Sequence, residues 1–356
     1  MFRGRFLCNF RLIWFDSLGA KSSCMLVKTS DVSVLIDPGA AVMHGSFPAS
    51  PEDKAAWLRS AWEEIKRAVV EADVIVVTHY HYDHFSREPS FYRGKLLLAK
   101  NPNCYINDSQ RRRAEDFYSS LWSFFKKTSL EKELEEPVVR DYPNPLSELD
   151  LALRKDFGDY SERRRELLDK GLKWFRGRVE KWRSLKWIPE LKSRELRVEF
   201  ADGRVFEFGG TILKCSKPLF HGIEFSRLGW VFSVVIESGK WKFMYSSDLN
   251  GPIIEDYAEY IIRENPDVLV LDGPATYMIP YTLNLINLRR SIENICRIIR
   301  ETKTGLTILD HHLLRDKLYR KRLEEVYKTA ERENKRVVSA AEYLGKTPKI
   351  LEVTKR

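Results

Sequence analysis

The stretch that most constrains this chain is a short apolar run, Val74–Val77, followed within seven residues by three histidines and an aspartate. All four residues of the run are β-branched, which is typical of a strand buried on both faces. Such a strand carries ionisable side chains at its centre only at a cost, so His79, His81, Asp83 and His84 must follow its end. Imidazoles and carboxylates are ligands that Zn²⁺, Fe²⁺ and Mn²⁺ accept. The spacing therefore predicts a metal site, in which ligands two residues apart meet at one ion and the adjacent Asp83-His84 pair can face a second.

The segment Thr78-His79-Tyr80-His81-Tyr82-Asp83-His84 resembles the metal-binding motif of the metallo-β-lactamase superfamily. A polar loop with chance histidines is the alternative, which is disfavoured because three of the seven histidines of the chain fall here. The resemblance implies a four-layer αββα sandwich that hydrolyses its substrate with a metal-activated water. The closest match is to an archaeal branch of the superfamily, because a long helical segment sets the chain apart from the other branches.

The order of predicted strands and helices is consistent with that fold. Apolar runs and turn signals predict two similar halves, each beginning with hairpins and ending in β-α-β units. In the first half, strands are predicted at 6–15, 22–28, 32–36, 74–77 and 96–99, with a helix opened by Ser50-Pro51. In the second half, strands are predicted at 195–200, 204–208, 212–215, 230–237, 240–246, 268–271 and 306–309, with helices at 255–263 and 288–301. The Asp202-Gly203 pair predicts a hairpin between the first two strands of this half.

Residues 105–195 break the pattern and are predicted to be helical, with segments near 108–127, 147–157 and 160–187. We therefore expect a metallo-β-lactamase-like domain formed by residues 1–104 and 196–356, interrupted by an inserted helical subdomain at 105–195. Inserts at this place in the superfamily commonly roof the active site. The resemblance thus implies a lid that selects the substrate.

The net charge of +9 is unevenly distributed. Residues 160–187 carry ten basic and four acidic side chains, whereas the preceding residues 131–159 carry four basic and nine acidic ones. Trp174, Trp182 and Trp187 lie among the basic residues and could stack on nucleic-acid bases. Alternatively, these tryptophans pack in the core of the insert and the basic helix pairs with the acidic segment. The expected partner is a nucleic acid or a phosphorylated small molecule.

Carried over residue by residue, the superfamily pattern implies two divalent ions, with zinc as the first expectation and iron or manganese as alternatives. One ion would be bound by three histidines and the second by an aspartate and two histidines, with one aspartate bridging both. These ligands are His79, His81 and His221 for the first ion, Asp83, His84 and His311 for the second, and Asp248 for the bridge. Asp83 would also be the catalytic carboxylate that orients the water or shuttles a proton, and Asp37 would orient ligands from behind.

The late histidine is open between His311 and His312. Superfamily members that cut nucleic acid often have a histidine followed four residues later by arginine, a pattern that His311 and Arg315 match. His311 is therefore the predicted ligand, whereas His312 and Arg315 would support the site or contact the substrate. His44, the remaining histidine, is expected to have a surface or turn role.

The substrate stays open because this scaffold supports many reactions. The basic helix favours a phosphodiester, another phosphorylated compound or a nucleic acid. The alternatives are a lactonase or thioesterase acting on a small molecule, and a non-catalytic nucleic-acid-binding relative. Flavodiiron-like redox chemistry would need carboxylates at some of the histidine positions and a flavodoxin domain, and the sequence contains neither.

Composition places the protein in the cytoplasm. The five cysteines are scattered without a Cys-x-x-Cys pair, which is typical of buried thiols in a reducing compartment. Arg3, Arg5 and Arg11 interrupt the apolar N-terminus, which disfavours a signal peptide, and no run approaches the ~20 apolar residues of a membrane span. A single glutamine and 31% charged residues suggest a thermophilic source. An oligomer is compatible with this composition.

Overall fold

The computed structural model describes residues 9–354, so the first residues of the predicted strand 6–15 lie outside the described part. The described strands are β1 Asn9–Phe15, β2 Ser23–Lys28, β3 Ser33–Ile36, β4 Val74–Val77, β5 Lys95–Ala99, β6 Leu196–Phe200, β7 Val205–Phe208, β8 Thr211–Cys215, β9 Leu219–Phe220, β10 Trp230–Val231, β11 Val234–Ser238, β12 Trp241–Tyr245, β13 Val268–Asp272, β14 Leu306–Asp310 and β15 Arg336–Val338. The described α-helices are α1 Pro51–Glu71, α2 Asp108–Leu121, α3 Leu130–Glu133, α4 Asp150–Arg154, α5 Ser161–Ser184, α6 Glu255–Glu264, α7 Leu285–Glu301, α8 Tyr319–Arg322, α9 Glu324–Arg332, α10 Ala340–Tyr343 and α11 Lys349–Val353.

Two large sheets repeat the same plan. Among residues 9–354, six strands form the first sheet in the order β1 to β6, and seven form the second in the order β15-β14-β13-β12-β11-β8-β7. The first sheet is antiparallel from β1 to β3 and parallel from β3 to β6. The second is antiparallel from β7 through β8 and β11 to β12, and parallel from β12 to β15. The predicted succession of hairpins and then β-α-β units in two similar halves is confirmed.

The side chains of β4 define the layers. Because successive side chains point to opposite faces of a sheet, Val74 and Val76 lie in the core between the two sheets. Ile75 and Val77 lie in a second core with Ile65 of α1. A third core lies between the second sheet and the helices α6, α7 and α9. The predicted four-layer αββα sandwich is therefore confirmed.

The predicted hairpin around Asp202-Gly203 is wrong. β6 pairs with β5 in the first sheet, whereas β7 pairs with β8 in the second, so the turn carries the chain from one sheet to the other. The Asp202 carboxylate binds Lys100 Nζ and the Asn101 amide at the end of β5. These contacts hold the turn beside the end of β5. A tight hairpin would instead have paired β7 with β6 in the first sheet. Two smaller differences are that the predicted helix 147–157 is only α4, and that the predicted strand 230–237 divides into β10 and β11.

The helical segment at 105–195 connects the parallel neighbours β5 and β6. Its buried side chains belong to the same core as the outer face of the first sheet. Trp182 is only 3% exposed, and Trp174 stacks on Trp230 with 5.5 Å between ring centroids. Trp182 is therefore buried in the core and Trp174 packs against it partly buried, as one of the two sequence interpretations expects.

The basic helix α5 forms its ion pairs elsewhere than expected. Arg164 pairs with Glu224 at 2.8 Å, and Lys181 pairs with Asp108 at 2.6 Å. Within residues 9–354, no ion pair joins α5 to the acidic segment 131–159. The alternative in which the basic helix pairs with the acidic segment before it is therefore wrong. Among residues 9–354, no helix is both long and apolar enough to span a bilayer.

Candidate metal centre

The predicted ligands meet at one edge of the sandwich, where strands of both sheets end. The four residues that follow β4 are joined there by residues that come after three other strands. These are His221 after β9, Asp248 after β12 and His311 after β14. The carboxyl ends of the parallel strands β4, β12 and β14 lie at this edge, and the short antiparallel pair β9–β10 adds His221, so that the fold brings together all seven predicted ligands.

The carboxylate of Asp248 lies at the centre of the group. Its Oδ2 atom is 3.1 Å from His221 Nε2, 3.3 Å from His84 Nε2 and 3.4 Å from His79 Nε2. Its Oδ1 atom is 3.5 Å from His311 Nε2. One carboxylate thus faces four imidazoles, two from each predicted ligand set, which is the position that a bridging ligand requires.

The surrounding atoms form two clusters of the kind that binds metal. Ligand atoms of His79, His81, His221 and Asp248 lie within 4.8 Å of one another, as do those of Asp83, His84 and His311. Among residues 9–354, buried polar atoms without a hydrogen-bond partner include several of these: His84 Nε2, His221 Nε2, His311 Nε2 and Asp248 Oδ1. Buried polar atoms are normally paired, so these converging unpaired atoms fit cations bound between them.

His84 is held from behind by Asp37. Its Nδ1 is 2.8 Å from Asp37 Oδ2, and the same carboxylate accepts hydrogen bonds from the backbone and hydroxyl of Thr78 at 2.8 and 2.7 Å and from Tyr245 Oη at 3.0 Å. Asp37 lies in the left-handed region at φ 47°, a strained conformation that these bonds stabilise. Asp37 therefore lies behind the predicted ligand His84 and orients its ring, as the resemblance implied.

His311 is held in the same way by Asp16, a residue that the sequence analysis did not identify. Asp16 is fully buried, and its carboxylate accepts hydrogen bonds from His311 Nδ1 at 3.0 Å and from Arg315 Nε. A carboxylate behind a ligating histidine selects its tautomer and fixes its ring. His311 also has φ 60°. Asp16 is the first residue after β1, so the strand-end rule used elsewhere would have found it.

His312 faces the site from a different direction. Its Nδ1 is 2.9 Å from Asp272 Oδ1, and Asp272 also accepts a hydrogen bond from the Asn250 backbone at 2.8 Å. The His312 ring is 5.8 Å from that of His221, measured between centroids. His311, by contrast, approaches both Asp248 and, at 4.0 Å, Asp83. The geometry favours His311 over His312 as the ligand of the second cluster.

The ionisation of the group is strongly perturbed. Burial lowers the pKa of His79 to about 4 and also lowers that of His81, so both rings are neutral, which is the form that binds metal. Burial opposes the charged form of His84 as well, but the carboxylates of Asp248 and Asp37 outweigh it and raise this pKa to about 10. Against the effect of burial, the neighbouring histidines hold the pKa of Asp248 well below its usual range.

A cavity of about 640 Å³ opens onto the group. It is lined by His81, Asp83, His221, His312 and Arg315 from the site. A larger cavity of about 1020 Å³ lies between the 143–151 loop and α6 and contains none of the histidines. The smaller cavity is therefore the one that adjoins the candidate metal centre.

The other walls of this cavity are mostly cationic and apolar. Lys21, Arg113 and Arg227 join Arg315 there, and Asp83 is the only acidic residue that the described chain contributes. Arg113 is the only lining residue from the segment 105–195, since α5 packs behind the loop that follows His221. The α5 helix thus does not line this cavity, whereas the resemblance implied a lid over the active site.

Two further residues lie closer to the site than the sequence suggested. Gln110 is fully buried, accepts a hydrogen bond from the Tyr80 backbone at 3.2 Å and donates one to the Leu228 carbonyl at 2.7 Å. His44, expected in a surface role, is half-buried and stacks on Tyr277 at 4.9 Å.

This fold and this histidine- and aspartate-lined edge define a member of the metallo-β-lactamase superfamily. The model of the metallo-β-lactamase superfamily matches residues 19–87. The UPF0282 protein of Methanopyrus kandleri is 33% identical over 353 residues, covering 95% of this chain and 94% of that one. The corresponding protein of Korarchaeum cryptofilum is 32% identical over 345 residues, covering 96% and 91%. The chain belongs to the UPF0282 family, and the archaeal affiliation expected from the sequence is confirmed.

Solved structures of similar fold were also found. The metallo-β-lactamase fold protein YhfI of Bacillus subtilis is 12% identical, with a TM-score of 0.41 and coverage of 90% of this chain and 88% of that one. The short form of human tRNase Z is 12% identical, with a TM-score of 0.38 and coverage of 83% and 90%.

Proposed function

We propose that this protein is a metal-dependent hydrolase whose substrate is an anionic ester, a phosphate ester or phosphodiester in the first place. The observation that supports the proposal most strongly is the position of Asp248, whose carboxylate lies between four imidazoles with unpaired ring nitrogens around it. A donor set of imidazoles and carboxylates fits Zn²⁺ best and accommodates Fe²⁺ or Mn²⁺. Divalent cations bound there would supply an activated water and polarise the bond to be cut.

The side chains of the site have two proposed roles, metal binding and proton transfer. His79, His81 and His221 form one ligand set with Asp248, and Asp83, His84 and His311 form the other. Asp83 is 14% exposed at its side chain and lines the cavity. A carboxylate at that place can accept a proton from the attacking water or orient that water toward the substrate.

The charge of the cavity supports an anionic substrate. Four basic side chains line it, against one acidic side chain that belongs to the proposed ligand set. Its volume of about 640 Å³ lies in the range of small-molecule sites, roughly 300–1,000 Å³. A phosphodiester within a nucleic acid involves the same bond chemistry, but Trp182 is buried, and the partly exposed ring of Trp174 already stacks on Trp230 and contacts the Arg227 guanidinium. The favoured substrate is therefore a small ester that carries a phosphate or a carboxylate group.

The experiment is a turnover panel with the metal-loaded protein. Phosphate monoesters, phosphodiesters, lactones, thioesters and short single-stranded RNA and DNA are assayed beside one another, with the metal content measured by elemental analysis. We expect one to two transition-metal ions per chain and turnover of at least one phosphate ester.

The control is His79→Ala, which removes a ligand from the first cluster and should lower both the metal content and turnover. A chain that takes up no transition metal when metal is supplied would disprove the metal site. Turnover of thioesters or lactones alone would leave the metal chemistry standing but refute the phosphate ester as substrate.

A further inference from the structure

Lys21 and Arg315 share a wall of the cavity described above. Lys21 lies in the loop between β1 and β2, where its backbone exchanges two hydrogen bonds of 2.9 Å with Ala41. Asp16 closes the same loop by accepting a hydrogen bond from the Ser22 backbone at 2.9 Å. The backbone on both sides of Lys21 is therefore fixed at a position that lines the cavity.

Arg315 is 7% exposed and uses only part of its guanidinium group. Its Nε donates to Asp16, and its Nη1 donates to Tyr277 Oη at 3.1 Å. Its Nη2 is buried without a hydrogen-bond partner among residues 9–354, and Asp83 Oδ2 is 3.6 Å away. A buried donor of this kind is costly unless a ligand accepts from it.

Among the ion pairs of residues 9–354, none involves Lys21, and Arg315 pairs with Asp16 through Nε, so that its Nη2 faces only Asp83 at 3.6 Å. Burial lowers the pKa of Lys21, and the positive charge of Arg315 lowers it further, while Asp83 and Asp16 oppose the shift. Asp16 is already bonded to His311 and Arg315, and Asp83 belongs to the proposed ligand set. Two cations in a partly buried wall disfavour each other unless an anion lies between them.

We infer that Lys21 and the free Nη2 of Arg315 form a subsite for a second anionic group of the substrate, a carboxylate or phosphate distinct from the group that is hydrolysed. The inference rests on the proposed function, because it places the reacting group at the metal centre and the second anion beside it. It narrows the substrate class to esters that carry two anionic groups. The competing account is that Arg315 only orients Asp83 and that Lys21 is an ordinary solvated lysine.

The experiment measures binding, so that it does not depend on turnover. Three non-hydrolysable phosphonates are titrated calorimetrically into the metal-loaded full-length protein: propylphosphonate with a neutral tail, 3-phosphonopropionate with a carboxylate tail, and 1,2-ethylenediphosphonate with a phosphonate tail. We expect the anionic tails to bind about tenfold or more tightly than the neutral one, which corresponds to one charge-assisted hydrogen bond. The better of the two anionic tails identifies the second group as carboxylate or phosphate.

The variant Lys21→Met should reduce this preference to within about twofold, and Lys21→Arg should restore most of it. Arg227→Met is the matched control, because it removes the same charge from another wall of the same cavity and should keep the preference. Unfolding midpoints of the variants show that each is folded.

The outcomes separate this inference from the proposed function. Equal affinity for all three phosphonates, or a preference that survives in Lys21→Met, would overturn the subsite and leave the hydrolase standing. A preference that depends on Lys21, in a protein that hydrolyses none of the esters, would support the subsite and refute the reaction. Absence of binding by any phosphonate would overturn the subsite as well.

Discussion

Asp16→Asn is the substitution that best tests the second ligand cluster. Asp16 is fully buried between His311 and Arg315, and it also accepts from the Ser22 backbone. Asparagine has nearly the same size, so no cavity forms. It removes the negative charge, however, and points an amide N–H₂ group at a donor where the wild-type protein has an acceptor.

The expected effects are large in two separate quantities. Arg315 would keep its buried charge while losing its ionic partner, and breaking a buried pair in this way typically costs ~3–5 kcal/mol of unfolding free energy. His311 would lose the carboxylate that orients its ring, and loss of such a partner typically lowers metal affinity ~10–100-fold. We therefore expect Asp16→Asn to weaken both the fold and the metal site.

Two assays separate these effects. Urea unfolding of the metal-free protein reports the fold, and competition with a chromophoric chelator reports metal affinity. The control is Asp310→Asn, because Asp310 is equally buried and adjacent to His311 but accepts only backbone amides, those of Ser17, His311 and Ala340. This control should lose stability and keep its metal affinity. Wild-type metal affinity in Asp16→Asn, or an equal loss in both variants, would refute the role given to Asp16.

Three further predictions concern other parts of the site. His311→Ala should lose metal from one of two sites by elemental analysis, whereas His312→Ala should keep its metal and change only substrate affinity; the reverse result would exchange their roles. Gln110→Leu leaves the buried Tyr80 amide and the partly buried Leu228 carbonyl unpaired and should lower the unfolding free energy by ~1–3 kcal/mol, and an unchanged urea midpoint would argue against that role. Burial would raise the pKa of the Glu224 carboxyl, but its charged neighbours, Arg290 above all, hold this pKa below its usual range. The contribution of Glu224 to stability is therefore present above about pH 4.3 and is lost as the pH falls. The unfolding free energy of Glu224→Gln should accordingly change less than that of the wild type between about pH 5 and pH 3, as measured by circular dichroism.

The candidate site was largely predictable because its chemistry follows the strand ends. Val74–Val77 is unambiguous as a buried strand, and the ionisable residues of the motif were therefore expected beyond its end. Asp37, Asp248 and His311 were assigned from the resemblance to the superfamily, and their positions directly after other apolar runs agree with that assignment. Parallel strands then bring these positions together at one edge without further information.

What was missed depends on contacts between segments that are distant in the chain. Asp16 and His311 are 295 residues apart, and although the position of Asp16 after β1 marks it as a candidate, nothing local indicates that it pairs with His311. The Asp202-Gly203 turn has the composition of a hairpin, and only the contact of Asp202 with Lys100 shows that it changes sheets. Local turn chemistry predicts that the chain reverses, but not which strand it then pairs with.

The helical segment acts on the site as a brace more than as a roof. Gln110 on α2 bonds the backbone of Tyr80, between two predicted ligands, and that of Leu228, in the loop after His221. Asn107, the N-cap of α2, donates to the Arg227 carbonyl at 2.6 Å in the same loop. One helix end therefore fixes the two loops that supply the three histidines of the first ligand cluster. Substitutions in α2 should therefore affect activity by shifting these loops. A substitution of Arg113, which lies on α2 and lines the cavity, should also affect it directly.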